Sequence, residues 1–266
     1  MLDRYNRKIN YLRISVTDRC NLRCHYCMPE NDPCLLRHED ILTFEEIRDV
    51  VRVAVPLGVD KIRLTGGEPL VRKDIVELVN MIASVPGIKD LAMTTNGVLL
   101  HKFAKPLASA GLQRVNISLD TIDPEKFRNI TRGGDIQKVF QGIEAARRAG
   151  LLPIKINCVV TGGFGETDAA GVGEYGRKED IQVRYIPIMD LQTGDFGIVD
   201  GGTGGDCRQC NRLRLTSDGK MKPCLFSDIA YDIRTTGIRE AMEMALWAKP
   251  EKGTVNLTNC FHNIGG

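Results

Sequence analysis

No stretch of this sequence comes near the roughly 18 uninterrupted apolar residues of a membrane-crossing helix. Its first ten residues, M-L-D-R-Y-N-R-K-I-N, lack the apolar centre of a secretory leader. Both absences point to a cytoplasmic protein. Excess charge is missing too. The formal net charge is +2 over 266 residues, which argues against nucleic acid or a membrane surface as a partner. It leaves room for one local basic site for a small anion. Disulfides are not expected in a reducing compartment, so nine cysteines need another use, as metal ligands, catalytic groups or buried thiols.

What is present is a regular alternation. β-branched runs predict strands at 12–17, 61–65, 91–96, 114–120, 154–160 and 183–189, and helical periodicity predicts helices at 43–55, 73–84, 100–110 and 136–149. Thr43 and Glu46 are placed for a capping box, and Gly150 follows an Arg-rich last turn as a helix stop should. Strands each followed by a helix argue for an α/β fold with a parallel sheet. Six such units are too few for a closed eight-stranded barrel, so an open, partial TIM-type βα barrel is expected, with its chemistry at the carboxyl ends of the strands. Residues 162–180 are so rich in glycine that a helix there would be marginal. A second glycine-rich run, 193–206, reads as a linker. It divides the chain into a barrel, 1–190, and a small C-terminal segment, 191–266.

Two cysteine motifs carry chemistry. C-N-L-R-C-H-Y-C places Cys20, Cys24 and Cys27 just after the first strand, and C-R-Q-C-N-R-L-R-L-T-S-D-G-K-M-K-P-C places Cys207, Cys210 and Cys224 near the other end. Thiolates suit iron–sulfur clusters and zinc. Each motif stops at three, so either a fourth ligand comes from afar (Cys34 or a His for the first, Cys260 for the second) or a small molecule takes the open position. T-G-G-E-P, with Gly66, Gly67 and Glu68, ends the second strand; its glycines let backbone approach a ligand, and Glu68 offers an acceptor for an ammonium. Arg212 and Arg214 alternate with leucines, so as a strand they share one face, and two guanidinium forks there suit phosphate. Arg13, Arg63, Lys155 and Arg184 lie on predicted strands, where their charges would be costly inside a barrel without an anion. Ion pairing with Glu68 or Asp120 is the alternative.

The first motif, followed by G-G-E-P on a βα barrel, resembles the radical S-adenosylmethionine (SAM) superfamily. The second, with N-R-L-R-L-T and a terminal I-G-G, is similar to the GTP 3′,8-cyclase (MoaA) family of molybdenum-cofactor biosynthesis. The resemblance implies two 4Fe–4S clusters, one on Cys20, Cys24 and Cys27 that binds SAM, one on Cys207, Cys210 and Cys224 that binds GTP. It assigns Tyr26, Gly66, Gly67, Glu68, Ser118 and Met189 to SAM. Arg13, Lys61, Arg63, Thr94, Lys155, Arg184, Arg212 and Arg214 go to GTP. Arg13, Lys155 and the tail glycines Gly265 and Gly266 are assigned to the radical step. That step takes the ribose 3′ hydrogen and joins C3′ to C8 of guanine, giving (8S)-3′,8-cyclo-7,8-dihydroguanosine 5′-triphosphate. It further implies a downstream cyclic pyranopterin monophosphate synthase, an electron donor such as flavodoxin, and a homodimer. The chain departs from the family in a short span between Met189 and Cys207, in Pro187 where a Glu is usual, and in F-H-N-I-G-G at the end. Those departures keep two other readings in view: a radical SAM paralogue acting on a peptide, and a non-catalytic iron–sulfur or zinc protein. Cys158, in a predicted strand, reads as a buried thiol.

Overall fold

The computed structural model describes residues 1–28, 35–162, 165–258 and 261–264. Cys34, Cys260, Gly265 and Gly266 lie outside them.

Six parallel strands run in sequence order: β1 (Tyr11–Ser15), β2 (Lys61–Thr65), β3 (Asp90–Thr95), β4 (Arg114–Ser118), β5 (Lys155–Val160) and β6 (Gln182–Pro187). Helices α1 (Phe44–Ala54), α2 (Ile75–Ala83), α3 (Leu100–Ser109), α4 (Pro124–Thr131), α5 (Ile136–Arg148) and α6 (Thr167–Lys178) lie between them. Strand alternation explains the layering. Ile62 and Leu64 of β2 are buried in the main core with Ile47, Val50 and Val51 of α1, while Lys61 and Arg63 take the opposite face, toward the barrel interior. Burying each such aliphatic side chain contributes about 1.5–3 kcal/mol. The capping box at α1 forms as its sequence predicts. Thr43 Oγ1 accepts from the Glu46 amide at 3.2 Å, and Glu46 accepts from the Thr43 amide at 2.7 Å.

The barrel is open, as expected. Instead of closing β6 onto β1, the sheet continues from β1 into β7 (Arg212–Leu215), parallel to it, then into β8 (Lys220–Lys222) and β9 (Tyr231–Asp232), both antiparallel. Helices α7 (Ile233–Thr236) and α8 (Ile238–Trp247) follow, and α9 (Phe261–Ile264) closes the described chain.

Within the barrel, two elements differ from the sequence reading, and past it β8, β9, α7, α8 and α9 are additions. Helix α4 was not anticipated, although Asp123 caps it by accepting from the Glu125 and Lys126 amides. Helix α6 forms despite its glycines, because they allow close approach to β6. A Cβ on Gly173 would lie 2.3 Å from the Tyr185 hydroxyl, and one on Gly176 would lie 2.4 Å from Val183 Cγ2.

Candidate active site

The first cysteine loop leaves the carboxyl end of β1. Its backbone is pinned to the end of α4, with the Arg23 amide on Thr131 O and the His25 amide on Ile130 O, both at 3.1 Å. The G-G-E-P turn is laced to the start of the same loop: the Gly67 amide donates to Thr17 O and the Glu68 amide to Arg19 O, each at 2.8 Å. Gly66 has φ +133°, and a Cβ on it would meet Thr17 O at 2.3 Å. Only glycine suits that position. Glu68 is 1% exposed. Its Oε1 accepts from the Leu70 amide at 3.0 Å and from Thr95 Oγ1 at 2.7 Å, and its Oε2 from the Asn96 amide at 2.6 Å. The carboxyl group thus ties β2 to β3, and burial raises it to about 7. Tyr26 donates its hydroxyl to Asp120 at 2.7 Å, which fixes the ring against the end of β4; Ser118 lies two residues earlier on that strand.

The thiols of this loop sit among acids. Burial pushes Cys24 up to about 12, and Cys27, Asp120 and Cys20 add to it. Burial also raises Cys20, the Leu22 amide opposes it and Glu68 adds to it. Three thiols on one tight loop, with Cys20 and Cys27 close enough to act on Cys24, beside a turn with no room for side chains, are a donor set whose chemistry fits a cluster held by three cysteines. Among the described residues, no three His, Cys, Asp or Glu side chains gather round a single metal ion.

A second region lies deeper in the barrel. A cavity of about 320 Å³ is lined by Tyr11, Arg13, Lys61, Arg63, Thr94, Asn116, Arg184, Met189, Arg212 and Arg214, and all three of Cys207, Cys210 and Cys224 border it. Strand register explains the gathering. Arg13 is the partner of Arg63 on one side and Arg214 on the other, while Tyr11 stands between Lys61 and Arg212. These residues occupy the first and middle positions of their strands, not the carboxyl ends. Lys155 neighbours the cavity without lining it; burial and then Arg184, Arg114 and Arg63 lower its pKa.

The charges are unbalanced. Arg114 is neutralised by Asp90. Arg13, Arg63, Arg184 and Arg212 each have a buried Nε without a hydrogen-bond partner and form no ion pair among the described residues. Burial and neighbouring guanidinium groups bring Arg214 down to about 9, and burial brings Arg63 to about 10. Tyr11 lies at their centre, with Arg13, Arg63 and Arg212 at 5.6, 5.7 and 6.0 Å from its ring. Burial alone would raise its hydroxyl, yet those three cations pull it down to about 8. Glu68 and Asp120, the carboxylates considered as partners for these arginines, are engaged elsewhere. Such a cavity suits a polyanion.

The second cysteine site forms one wall. Cys207 and Cys210 bracket a single helical turn after Asp206, and Cys224 follows β8. Lys249, just after α8, donates to Arg212 O at 2.7 Å and Pro223 O at 2.8 Å. The 190–206 run reaches across from β6, where Asp200 bridges Tyr185, and Phe196 stacks on Phe226 with ring centroids 4.4 Å apart. Phe196 and Phe226 both line the cavity. Tyr11, Asn116, Phe196, Phe226 and Lys249 escaped the sequence reading. Tyr11 and Asn116 carried a usable signal, each two residues before a candidate, Arg13 and Ser118, on the same strand face.

Residues 14–172 match the radical SAM superfamily and residues 174–254 match Molybdenum Cofactor Synthesis C. Similar proteins include the GTP 3′,8-cyclase of Alkaliphilus oremlandii (strain OhILAs), 42% identical over 300 positions that cover 95% of this chain and 94% of that protein. Another is the GTP 3′,8-cyclase of Thermodesulfovibrio yellowstonii, 42% identical over 305 positions covering 94% and 95%. Since 95% of 266 residues is about 253, the first alignment sets about 47 of its 300 positions against no residue of this chain. Among solved structures, anSMEcpe with bound AdoMet aligns with a TM-score of 0.63 at 17% identity, covering 91% of this chain and 81% of that one. SuiB of Streptococcus suis bound to its precursor peptide SuiA aligns at 0.66 and 14%, covering 92% and 66%. At those identities the likeness is one of fold. The sequence matches reach further: the chain belongs to the radical SAM superfamily and, within it, to the GTP 3′,8-cyclase family.

Proposed function

We propose that the protein converts GTP to (8S)-3′,8-cyclo-7,8-dihydroguanosine 5′-triphosphate, the opening reaction of molybdenum-cofactor synthesis. The observation that carries this reading is the cavity itself: four guanidinium groups without acid partners among the described residues, bordered by three cysteines, inside a radical SAM barrel. Relatives at 42% identity named as GTP 3′,8-cyclases support it, and do not favour the peptide-modifying or non-catalytic alternatives.

In this reading Cys20, Cys24 and Cys27 hold one 4Fe–4S cluster and Cys207, Cys210 and Cys224 the other. With SAM bound, a cluster held at the first of these sites would supply a deoxyadenosyl radical. The protein's own residues do the rest of the positioning. Gly66 and Gly67 keep the turn beside the cysteine loop free of side chains, and Tyr26, Ser118 and Met189 complete the SAM side. Arg13, Lys61, Arg63, Arg184, Arg212 and Arg214 receive the triphosphate, whose roughly four negative charges offset the buried cations. Thr94 fixes Arg63, donated to at 3.4 Å; Lys155 adds positive potential beside it. Gly265 and Gly266 serve the radical step from the tail.

The same reading divides the chain into a 1–190 barrel and a 191–266 segment. It places the protein in the cytoplasm as a homodimer, upstream of a cyclic pyranopterin monophosphate synthase and fed by a donor such as flavodoxin. No helix among the described residues is long and apolar enough to cross a membrane. The test is anaerobic incubation of the iron-reconstituted protein with dithionite, SAM and GTP, with mass spectrometry for the cyclised nucleotide. SAM cleavage with GTP untouched would sink the assignment of substrate.

A further inference from the structure

Lys249 is 2% exposed, and it forms no ion pair among the described residues. Its ammonium donates to two backbone carbonyls, Arg212 O and Pro223 O. These satisfy hydrogens but not charge. A buried ammonium without an anion is costly, so the position asks for a negative partner.

The geometry names that partner. Arg212 lies two residues after Cys210, and Pro223 directly precedes Cys224. One ammonium therefore holds both limbs of the second cysteine site. It acts electrostatically on the Cys210 and Cys224 thiols, and its Nζ also reaches the Cys210 side chain. At the first cysteine loop the stronger charged influences are Glu68 on Cys20, and Cys27 and Asp120 on Cys24, with Arg23 a weaker one on Cys20.

We infer that Lys249 is the positioning cation of the second cysteine site, clamping its Cys210 and Cys224 limbs together and offsetting the negative charge of the cluster held there. The inference rests on the reading of Cys207, Cys210 and Cys224 as cluster ligands. A 4Fe–4S core on three thiolates carries a net charge of roughly −1, and one more negative charge when reduced. A fixed cation close to the sulfurs favours the reduced form and raises the potential.

The experiment compares the whole chain with Lys249→Met and Lys249→Arg after anaerobic reconstitution. Iron and sulfide are counted, and the two clusters are followed by electron paramagnetic resonance during a redox titration. The parent chain is expected to hold about eight irons. Lys249→Met is expected to lose the second cluster, falling to about four, or to keep it with a more negative midpoint. The first cluster's signal should not move, and Lys249→Arg should restore much of the loss. Eight irons with an unchanged midpoint in Lys249→Met overturns the inference. Four or fewer irons in the parent overturns instead the cluster reading beneath it. Thermal unfolding of a Cys207→Ser, Cys210→Ser, Cys224→Ser background, with and without Lys249→Met, separates charge from packing. An equal loss of melting temperature in that cluster-free background would mean a structural strap, and the charge role falls.

Discussion

The two cysteine sites contain the same number of thiols and sit in opposite fields. Around Cys20 and Cys24 the charged neighbours are largely acidic groups: burial with Glu68 holds Cys20 up, and burial with Cys27 and Asp120 holds Cys24 up. Around Cys207, Cys210 and Cys224 the neighbours are Lys249, Arg212 and Arg214. Burial would raise Cys210 as well, but Lys249 and Arg212 outweigh it and bring the thiol below its ordinary value. Spacing sets what each site can hold; the surrounding charge sorts what comes to it. The acidic side suits SAM, whose sulfonium and ammonium are cations, and the basic side suits a triphosphate.

The largest effects should come from removing a thiol. Cys24→Ser is expected to abolish SAM cleavage and Cys210→Ser to spare it, while each halves the iron content from about eight. Equal loss of SAM cleavage in both variants would erase the distinction between the sites. Next come the forks. Arg212→Ala and Arg214→Ala should each weaken GTP binding by about tenfold to a hundredfold, the equivalent of about 1.5–3 kcal/mol for a hydrogen bond to a charged group. Calorimetry reads the affinity, and reductive SAM cleavage should remain.

The most diagnostic effects concern pH, because the two regions predict slopes of opposite sign. Glu68 is raised by burial from 4.5 to about 7. Its folded state holds a proton more tightly, so that contribution is complete below pH 4.5 and is lost as pH rises through about 7. Tyr11 is lowered from 10 to about 8. Its contribution is complete above pH 10 and is lost as pH falls through about 8, and is worth at most about 2–3 kcal/mol. Denaturant unfolding across pH should flatten between 4.5 and 7 in Glu68→Gln and between 8 and 10 in Tyr11→Phe. Carbon-13 tyrosine resonances provide a direct titration of Tyr11, and a value near 10 would remove it from the cation cluster.

Sequence made the barrel legible because its strands alternate β-branched residues with a polar inner face. The cysteines were legible from spacing, and the arginines from the oddity of charge on a strand. Other features depended on tertiary placement. Gly173 and Gly176 argue against a helix by propensity, and their role appears only when α6 lies against Tyr185 and Val183. Lys249 stands in W-A-K-P-E, where spacing gives no sign of a role, and only the fold delivers it to carbonyls 26 and 37 residues away. Phe196 sits in a glycine-rich run with no apolar period, yet it meets Phe226 across the cavity.

The parallel pairing of β1 with β7 has a consequence for how the protein is made. Tyr11 and Arg13 hydrogen-bond their strand to Arg212 and Arg214, partners separated by about 200 residues of chain. Such long-range closure is slow and is completed late. During synthesis the first cysteine loop and its G-G-E-P turn emerge early, whereas the basic cavity has no second wall until β7 has left the ribosome and docked. A polypeptide cut short of residue 207 therefore lacks Arg212 and Arg214 together with all three thiols of the second site, and its cavity has one wall missing.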